Sequence, residues 1–369
     1  MAARAGNVIE ALVGKLRPGR HGPAERKPRV ISHRSVGDRF ALSVRGRVVR
    51  MGRSVYVNST NGTKRSASAQ LVSVYRAFDV VEVPFVTVHV SLNGATASGQ
   101  TDAAGFFAVD LPAANNAGWS NGWHHPQVRV LANESAVAAR DLDAAGEVTG
   151  EVTGEVTGDV FVPPTATSLV IVSDLDDTAM DTQSVHQFEM VRKVLFSPAD
   201  KRSPVDGVPD LYRQLQRDID GQSDNPICFI SSGAWNLYDH IVDYLDLHQL
   251  PKGAVYLSDW GSRRRSFRRV SPADKAMHVT KLLTRYSTTP FLLVGDDVIK
   301  DPELYADIAT RFPQRITAIW IRIVLNDRKR LQEIERLRES LQAVGTELVV
   351  AADSAVFASH ARERAWIPE

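Results

Sequence analysis

The stretch "SDLDDT" (Ser173 to Thr178) crowds Asp174, Asp176 and Asp177 directly behind the apolar run Leu169–Val172. Carboxylates this close repel one another, so a cation is expected beside them. Two further segments offer matching groups. "FISSG" sets Ser231 and Ser232 behind Ile227–Ile230, and "LLVGDDVIKD" sets Asp296, Asp297 and Asp301 behind Phe291–Val294. Between them, "SPADKAMHV" opens a helix with Lys275 near its first turn. If the three acidic positions meet, they form an oxygen-rich site suited to a hard divalent cation, Mg²⁺ first among them. A carboxylate attacks phosphorus only when the phosphate's own charge is offset, which a metal ion and a lysine together can do. A hydroxyl such as that of Ser231 can hold a phosphoryl oxygen. A second carboxyl two residues after the nucleophile can protonate the leaving oxygen and then activate water. Taken singly, any of these aspartates could instead cap a helix. Asp177 and Asp181 read as caps, because their parity turns them away from the site.

The elements that must position these groups follow from the apolar pattern. Strands are expected at Leu169–Val172, Ile227–Ile230, Val255–Leu257, Phe291–Val294, Ile316–Ile321 and Leu348–Val350, all almost wholly apolar. Helical patterns lie between them at Ala234–Leu247, Ala273–Tyr286, Pro302–Phe312 and Asp327–Val344. Alternating strands and helices with continuously apolar strands predict an α/β unit, a doubly wound parallel sheet covered on both faces. Ligands bind such sheets beyond the carboxyl ends of the strands, which is where the aspartates fall. This unit is assigned to 166–369, with a small cap inserted at about 179–225.

Ahead of it the rhythm differs. Residues 1–38 read as a basic, partly ordered lead-in. From 39 to 162, period-two alternation (Val86, Val88, Val90, Leu92; Phe107, Val109, Leu111) with the turn-rich "GATASGQTDAAG" between predicts a small antiparallel β-sandwich domain. "TDAAGFF" resembles a turn of prealbumin-like sandwiches. The repeat "GEVTGEVTGEVTGDV" has a period that is a harmonic of the strand period, so it is expected to run extended until Pro163–Pro164.

Composition bounds the class. The chain of 369 residues is 43% hydrophobic and 24% charged, as in ordinary globular proteins, which excludes a disordered or fibrous chain. The single cysteine, Cys228, lies in an apolar run and reads as a reduced core residue, which excludes an internal disulfide framework. Neither a signal-peptide core nor a membrane-spanning run is evident, so the expected location is cytoplasmic, at most peripheral to a membrane. The net charge of +1 conceals an uneven distribution: residues 1–54 carry 13 Lys and Arg against Glu10, Glu25 and Asp38. That front end suits an anionic surface, a membrane before nucleic acid, or is simply solvated. "RRRSFRR" follows "LSDWG" and places Arg263 and Arg264 where an anionic headgroup could be met. Trp235 reads either as a contact for acyl chains or as core.

Taken together, "SDLDDT", "SPVDGVPDLYRQL", "ISSGAWNLY", "LSDWG", "FLLVGDDVIKDPELYADIA" and "IWIRIV" resemble the catalytic domain of the actin-patch type, Mg²⁺-dependent phosphatidate phosphatases, within the haloacid dehalogenase (HAD) superfamily. The resemblance implies a HAD-like fold and hydrolysis of phosphatidate to diacylglycerol and phosphate. It implies Asp174 as the nucleophile that becomes aspartyl-phosphate and Asp176 as general acid and then base. Thr178 would support the loop, Ser231 with Ser232 would bind phosphate, and Lys275 would stabilise the nucleophile and the transferring group. Asp174, the Asp176 main-chain carbonyl, Asp296 and a supporting Asp301 would hold Mg²⁺. Two departures stand out. "GDDVI" replaces the family's usual "GDSGQ", so Asp297 either tightens metal binding or repels a dianion, and Gly233–Ala234 replace Ser-Pro before "WNLY". A soluble phosphomonoester as substrate, or a membrane- or partner-binding role with vestigial catalysis, are the competing expectations.

Overall fold

The structure is a computed structural model that describes residues 28–51, 80–114, 117–131, 152–176, 178–179, 204–217, 221, 224–258 and 272–369. In the N-terminal part, strands β1 (Arg29–His33), β2 (Ser35–Val36), β3 (Ala41–Met51), β4 (Val80–Glu82), β5 (Thr87–Leu92), β6 (Ala95–Gln100), β7 (Phe106–Pro112), β8 (Gly122–His124), β9 (Gln127–Leu131), β10 (Val152–Thr157) and β11 (Val160–Val162) follow one another. One sheet runs β1-β3-β4 with β7 also paired to β3, and another runs β10-β9-β5-β6; every pairing within these two is antiparallel. A third, three-stranded sheet runs β2-β11-β8. Alternate residues of the first two sheets, including Leu42, Val44 and Val48 of β3 and Val88, Val90, Val128 and Val130, fill a single apolar core. The expected turn-rich stretch after Leu92 is shorter than its composition suggests. Asn93–Gly94, both at positive φ, make the turn, and Ala95–Gln100 then pairs back along β5 as a strand. The repeat runs extended through β10, as its period requires; its first residues lie outside the described segments.

The second half alternates as expected: β12 (Val170–Asp174), α1 (Val208–Arg217), β13 (Ile227–Ala234), α2 (Tyr238–Leu247), β14 (Ala254–Ser258), α3 (Pro272–Arg285), β15 (Phe291–Asp296), α4 (Asp301–Arg311), β16 (Ile316–Arg322), α5 (Arg328–Glu335), α6 (Arg338–Ala343), β17 (Glu347–Ala351) and α7 (Ser354–Glu363). The six strands form one parallel sheet in the order β14-β13-β12-β15-β16-β17. Successive residues of each strand enter opposite cores. Ile171, Phe229, Leu292 and Trp320 pack with α1, α2 and α7, whereas Val172, Cys228, Leu293 and Ile321 pack with α3, α4, α5 and α6. That is why these strands read as unbroken apolar runs. The long helix expected over Asp327–Val344 is two helices, parted at Arg336 and Leu337.

Within 179–225, the described helix α1 lies on the sheet with Leu211, Tyr212 and Leu215 buried in the core; residues 180–203 lie outside the described segments. Among the described residues, no helix is long and apolar enough to cross a membrane.

The two halves meet along the outer face of β1 and β3. Tyr256 of β14 packs between Arg45 (4.7 Å to the ring centre) and the ring of His278 (5.1 Å). Burial, aided by Arg45 and Lys281, pushes the His278 imidazole down to about 3 from its ordinary 6.5. A depressed value means the unfolded chain binds the proton more readily. His278 therefore contributes stability that is fully present above about pH 6.5 and lost as pH falls towards 3. His278→Leu is expected to flatten the fall in melting temperature between pH 6.5 and 4, read by thermal denaturation across that range.

Candidate active site

Strand order fixes where a ligand can sit. From β12 the chain moves to β13 and β14 on one side, then returns to β15, β16 and β17 on the other. The crevice of such a sheet opens outside the carboxyl ends of the strands at that reversal, between β12 and β15. Asp174 ends β12 and Asp296 ends β15. Asp301 opens helix α4 immediately beyond, and Lys275 reaches in from the first turns of α3.

These residues meet. Asp174, Asp296 and Asp301 each offer a carboxylate oxygen, and the three oxygens lie within 4.8 Å of one another. Lys275 Nζ donates to Asp174 Oδ1 at 2.8 Å and to both oxygens of Asp301, at 2.6 and 2.8 Å. Thr178 Oγ1 donates to Asp296 Oδ2 at 3.4 Å, and the backbone N–H groups of Val298 and Ile299 donate to Asp296 Oδ1. On the neighbouring strand, Ser231 Oγ donates to Asp176 Oδ2 at 2.8 Å and accepts from the Gly233 N–H at 2.8 Å. Asp176 thus points its carboxylate at Ser231, while the aspartate cluster comprises Asp174, Asp296 and Asp301.

Among the described residues the charges do not balance. Asp174, Asp296 and Asp301 are at most 2% exposed, and Lys275 is the cation set among them. Burial, then the fields of Asp301, Asp296 and Asp176, raise the Asp174 carboxyl well above its ordinary range; Lys275 acts in the opposite sense. Burial also opposes the charge on Lys275, but Asp174 and Asp301 outweigh it and hold the ammonium firmly protonated. Asp174 Oδ2 is buried without a hydrogen-bond partner among the described residues. An all-oxygen donor set with excess negative charge and an unsatisfied buried oxygen fits a hard divalent cation.

Several supports carry no signal in the sequence. Tyr212 of α1 shares a 2.7 Å hydrogen bond with Ser173 Oγ, which itself donates to the Asp174 carbonyl at 2.6 Å. Arg330 of α5 grips the loop between Asp296 and Asp301: Nε donates to the Asp297 carbonyl at 3.1 Å, and Nη2 donates to the Ile299 carbonyl at 2.8 Å. Its guanidinium also pairs with Glu303. Gly295 is required by close approach, since a Cβ there would stand 2.5 Å from Asp301 Oδ2 and 2.8 Å from Asp301 Cβ. Asp297 lies outside the aspartate cluster, and its Oδ2 is buried without a hydrogen-bond partner among the described residues. Its Oδ1 accepts from the backbone N–H groups of Val324 (2.7 Å) and Leu325 (3.1 Å), so this carboxylate ties the loop after β16.

Trp235, weighed as an acyl-chain contact or as core, is 5% exposed, with its ring against Arg47 and Phe106 of the β region. Ser232 lies in β13, and its side chain is outside the described set, as are Asp177, Asp181, Arg263 and Arg264 altogether.

Residues 169–323 match the family model described as the catalytic domain of phosphatidate phosphatase APP1. An uncharacterised protein of Schizosaccharomyces pombe is 26% identical over 162 residues, 42% of this chain and 25% of that protein. Phosphatidate phosphatase APP1 of Saccharomyces cerevisiae is 26% identical over 157 residues, 42% of this chain and 26% of that protein. The match therefore spans about a quarter of the length of either relative. Among solved structures, a carbohydrate acetylesterase from Xanthomonas citri is 13% identical and covers 86% of this chain and 66% of that one. Its TM-score is 0.28, and no correspondence of fold or site follows at that value.

Proposed function

We propose that this chain is a Mg²⁺-dependent phosphatidate phosphatase of the HAD superfamily, since residues 169–323 match the model for the catalytic domain of phosphatidate phosphatase APP1. It would cleave the phosphomonoester to diacylglycerol and phosphate. The meeting of Asp174, Asp296, Asp301 and Lys275 at the reversal point of the sheet carries the reading. The sheet order with helices on both faces supports a HAD-like fold, and two antiparallel sheets around one core support a β-sandwich over 39–162 that also takes in β1 (Arg29–His33) from the stretch read as a lead-in.

In this reading Asp174 attacks phosphorus and becomes an aspartyl-phosphate. Asp176 gives its proton to the departing glyceride oxygen as the ester bond breaks, then takes a proton from the water that hydrolyses the acyl phosphate. The existing bond from Ser231 to Asp176 sets two partners side by side: the hydroxyl can turn to a phosphoryl oxygen while the carboxyl turns to the leaving group. Lys275 favours the ionised form of Asp174 and aims it, and offsets charge on the transferring group. Asp174, the Asp176 carbonyl, Asp296 and Asp301 would hold Mg²⁺, whose charge makes a phosphate dianion approachable by a carboxylate. A lipid substrate calls for peripheral contact with a membrane, and the location proposed with it is cytoplasmic.

The test is phosphate release from phosphatidate in mixed micelles, with and without chelator. Release is expected with Mg²⁺ and is expected to vanish with EDTA. Saturating Mg²⁺ should also stabilise the folded protein, by about 3 kcal/mol at a hundredfold excess over its dissociation constant. Release from soluble phosphomonoesters alone would keep the chemistry and change the substrate. Vesicle binding without turnover on any phosphate ester would reject the enzyme.

A further inference from the structure

We infer that the N-terminal β region completes the catalytic site: Arg47, acting through Trp235, holds the bulged segment Ser231–Trp235 in the shape that receives phosphate. The inference rests on the role proposed above for Ser231 and assigns the β region a part in it.

The register of β3 supplies the first observation. Leu42, Val44 and Val48 turn into the β core, so Arg45 and Arg47 project from the opposite face, where the α/β half lies. Each meets an aromatic ring of that half. Arg45 stands 4.7 Å from the ring centre of Tyr256, and Arg47 stands 3.6 Å from that of Trp235. Phe106 of the neighbouring strand β7 is 4.4 Å from the same guanidinium and meets Trp235 edge-on at 6.0 Å. Glu82 of β4 completes the setting, 3.4 Å from Arg47 Nη2. Arg47 is fully buried. Burying a guanidinium is costly, and a cation over an indole face is the stronger for being desolvated.

The second observation is what Trp235 follows. Ser231 pairs with Leu257 of β14, but the next residue of β13 in register is Ala234, opposite Ser258, so Ser232 and Gly233 form a bulge. A bulge leaves residues unpaired in the ladder and re-aims those beside it. Here it lets the Gly233 N–H reach back to Ser231 Oγ, which in turn bonds Asp176. The ladder resumes at Ala234 opposite Ser258, and directly beyond that pair the exit of the segment packs through Trp235 against the β region. Arg47 therefore contacts Trp235, the backbone leads from Trp235 through Ala234 to Gly233, and hydrogen bonds continue to Ser231 and Asp176.

General adhesion between the halves does not depend on Arg47. Arg34 pairs with Asp246 through two bonds (3.0 and 2.8 Å), Arg285 reaches Asp38 (2.7 Å) and Asp110 (2.9 Å), and Lys252 reaches Asp159 (3.0 Å). The Tyr286 hydroxyl donates to the Gly37 carbonyl at 2.8 Å. These contacts provide an internal control. Arg285 binds the same β region from the end of α3, far along the chain from the bulge.

The experiment compares full-length wild type, Arg47→Met, Arg47→Lys, Trp235→Leu and Arg285→Met for phosphate release from phosphatidate with Mg²⁺, alongside melting temperatures. Arg47→Met is expected to lower kcat about a hundredfold, the scale of a misplacement near 1 Å, with KM within about threefold. Arg47→Lys, which keeps a cation over the ring, should recover most of that loss. Trp235→Leu should reproduce the loss with Arg47 intact, and it decides the matter if Arg47→Met does not fold. Arg285→Met should lower the melting temperature yet keep kcat. Wild-type kcat in both Arg47→Met and Trp235→Leu, or a kcat loss in Arg285→Met that matches theirs, overturns the inference while leaving the phosphatase reading intact. A wild type that releases no phosphate from any ester overturns that reading and this inference with it.

Discussion

Asp174→Asn is expected to lower phosphate release by about a thousandfold or more while leaving the melting temperature in chelator unchanged or higher. The two halves of this result have separate causes. Asparagine matches aspartate in shape but cannot attack phosphorus as a carboxylate, so the chemical step is lost. Stability responds differently, because the Asp174 carboxylate is costly to keep. Burial raises its carboxyl well above the ordinary range, as do Asp301, Asp296 and Asp176, and only Lys275 opposes them. A group whose value is raised in the folded state stabilises the fold at low pH and loses that contribution as pH rises through the folded value. Removing the ionisable group removes the loss, and Lys275 keeps both bonds to Asp301. The melting temperature gained on adding Mg²⁺ should shrink in the variant, since one of the cluster's carboxylates is gone. Release within tenfold of wild type would reject Asp174 as the nucleophile.

Lys275→Met should be damaging in both respects. The side chain is 7% exposed and its ammonium makes three short bonds to two buried carboxylates. Removing one partner of such a set leaves charge buried without compensation, at a cost of about 3–5 kcal/mol. In chelator the melting temperature should fall by roughly 10 °C, and phosphate release should be lost. Acid should narrow the gap to wild type, because a protonated Asp174 no longer needs the lysine. Adding Asp301→Asn to Lys275→Met should restore part of the stability and none of the release. A double variant less stable than Lys275→Met alone would show that Asp301 serves packing rather than charge balance. Thermal melts with and without Mg²⁺, run beside the rate assay, separate these outcomes.

The strand-end aspartates were legible because their strands are buried on both faces. In such strands an abrupt charge after an apolar run stands out, and Asp174 and Asp296 do so at the ends of β12 and β15. Lys275 was legible by its place in the order of motifs. Arg330 was not, because a helix surface rich in arginine and glutamate gives no sign of which residue turns inward, and its partners are 27 to 33 residues away. Arg47 was hidden by parity. Within "VRGRVV", alternation marks the core-facing residues but not what the other face meets. Asp297 was weighed for the site because it adjoins Asp296. In a strand-to-loop junction neighbours point apart, and its carboxylate goes to the loop after β16. The break between α5 and α6 carries no glycine or proline, so nothing local marks it.

Arg330 has a practical consequence for anyone cutting this chain into pieces. The recognisable segment stops at residue 323, seven residues short of the side chain that pins the loop between Asp296 and Asp301. Trimming there would also strip β17 from β16, turning an interior strand into a bare edge open to aggregation, and would remove Leu348, Phe357 and Ile367 from the packing. A fragment tailored to the recognisable segment should therefore misfold or bind metal poorly, and its silence in an assay would say nothing about the intact protein.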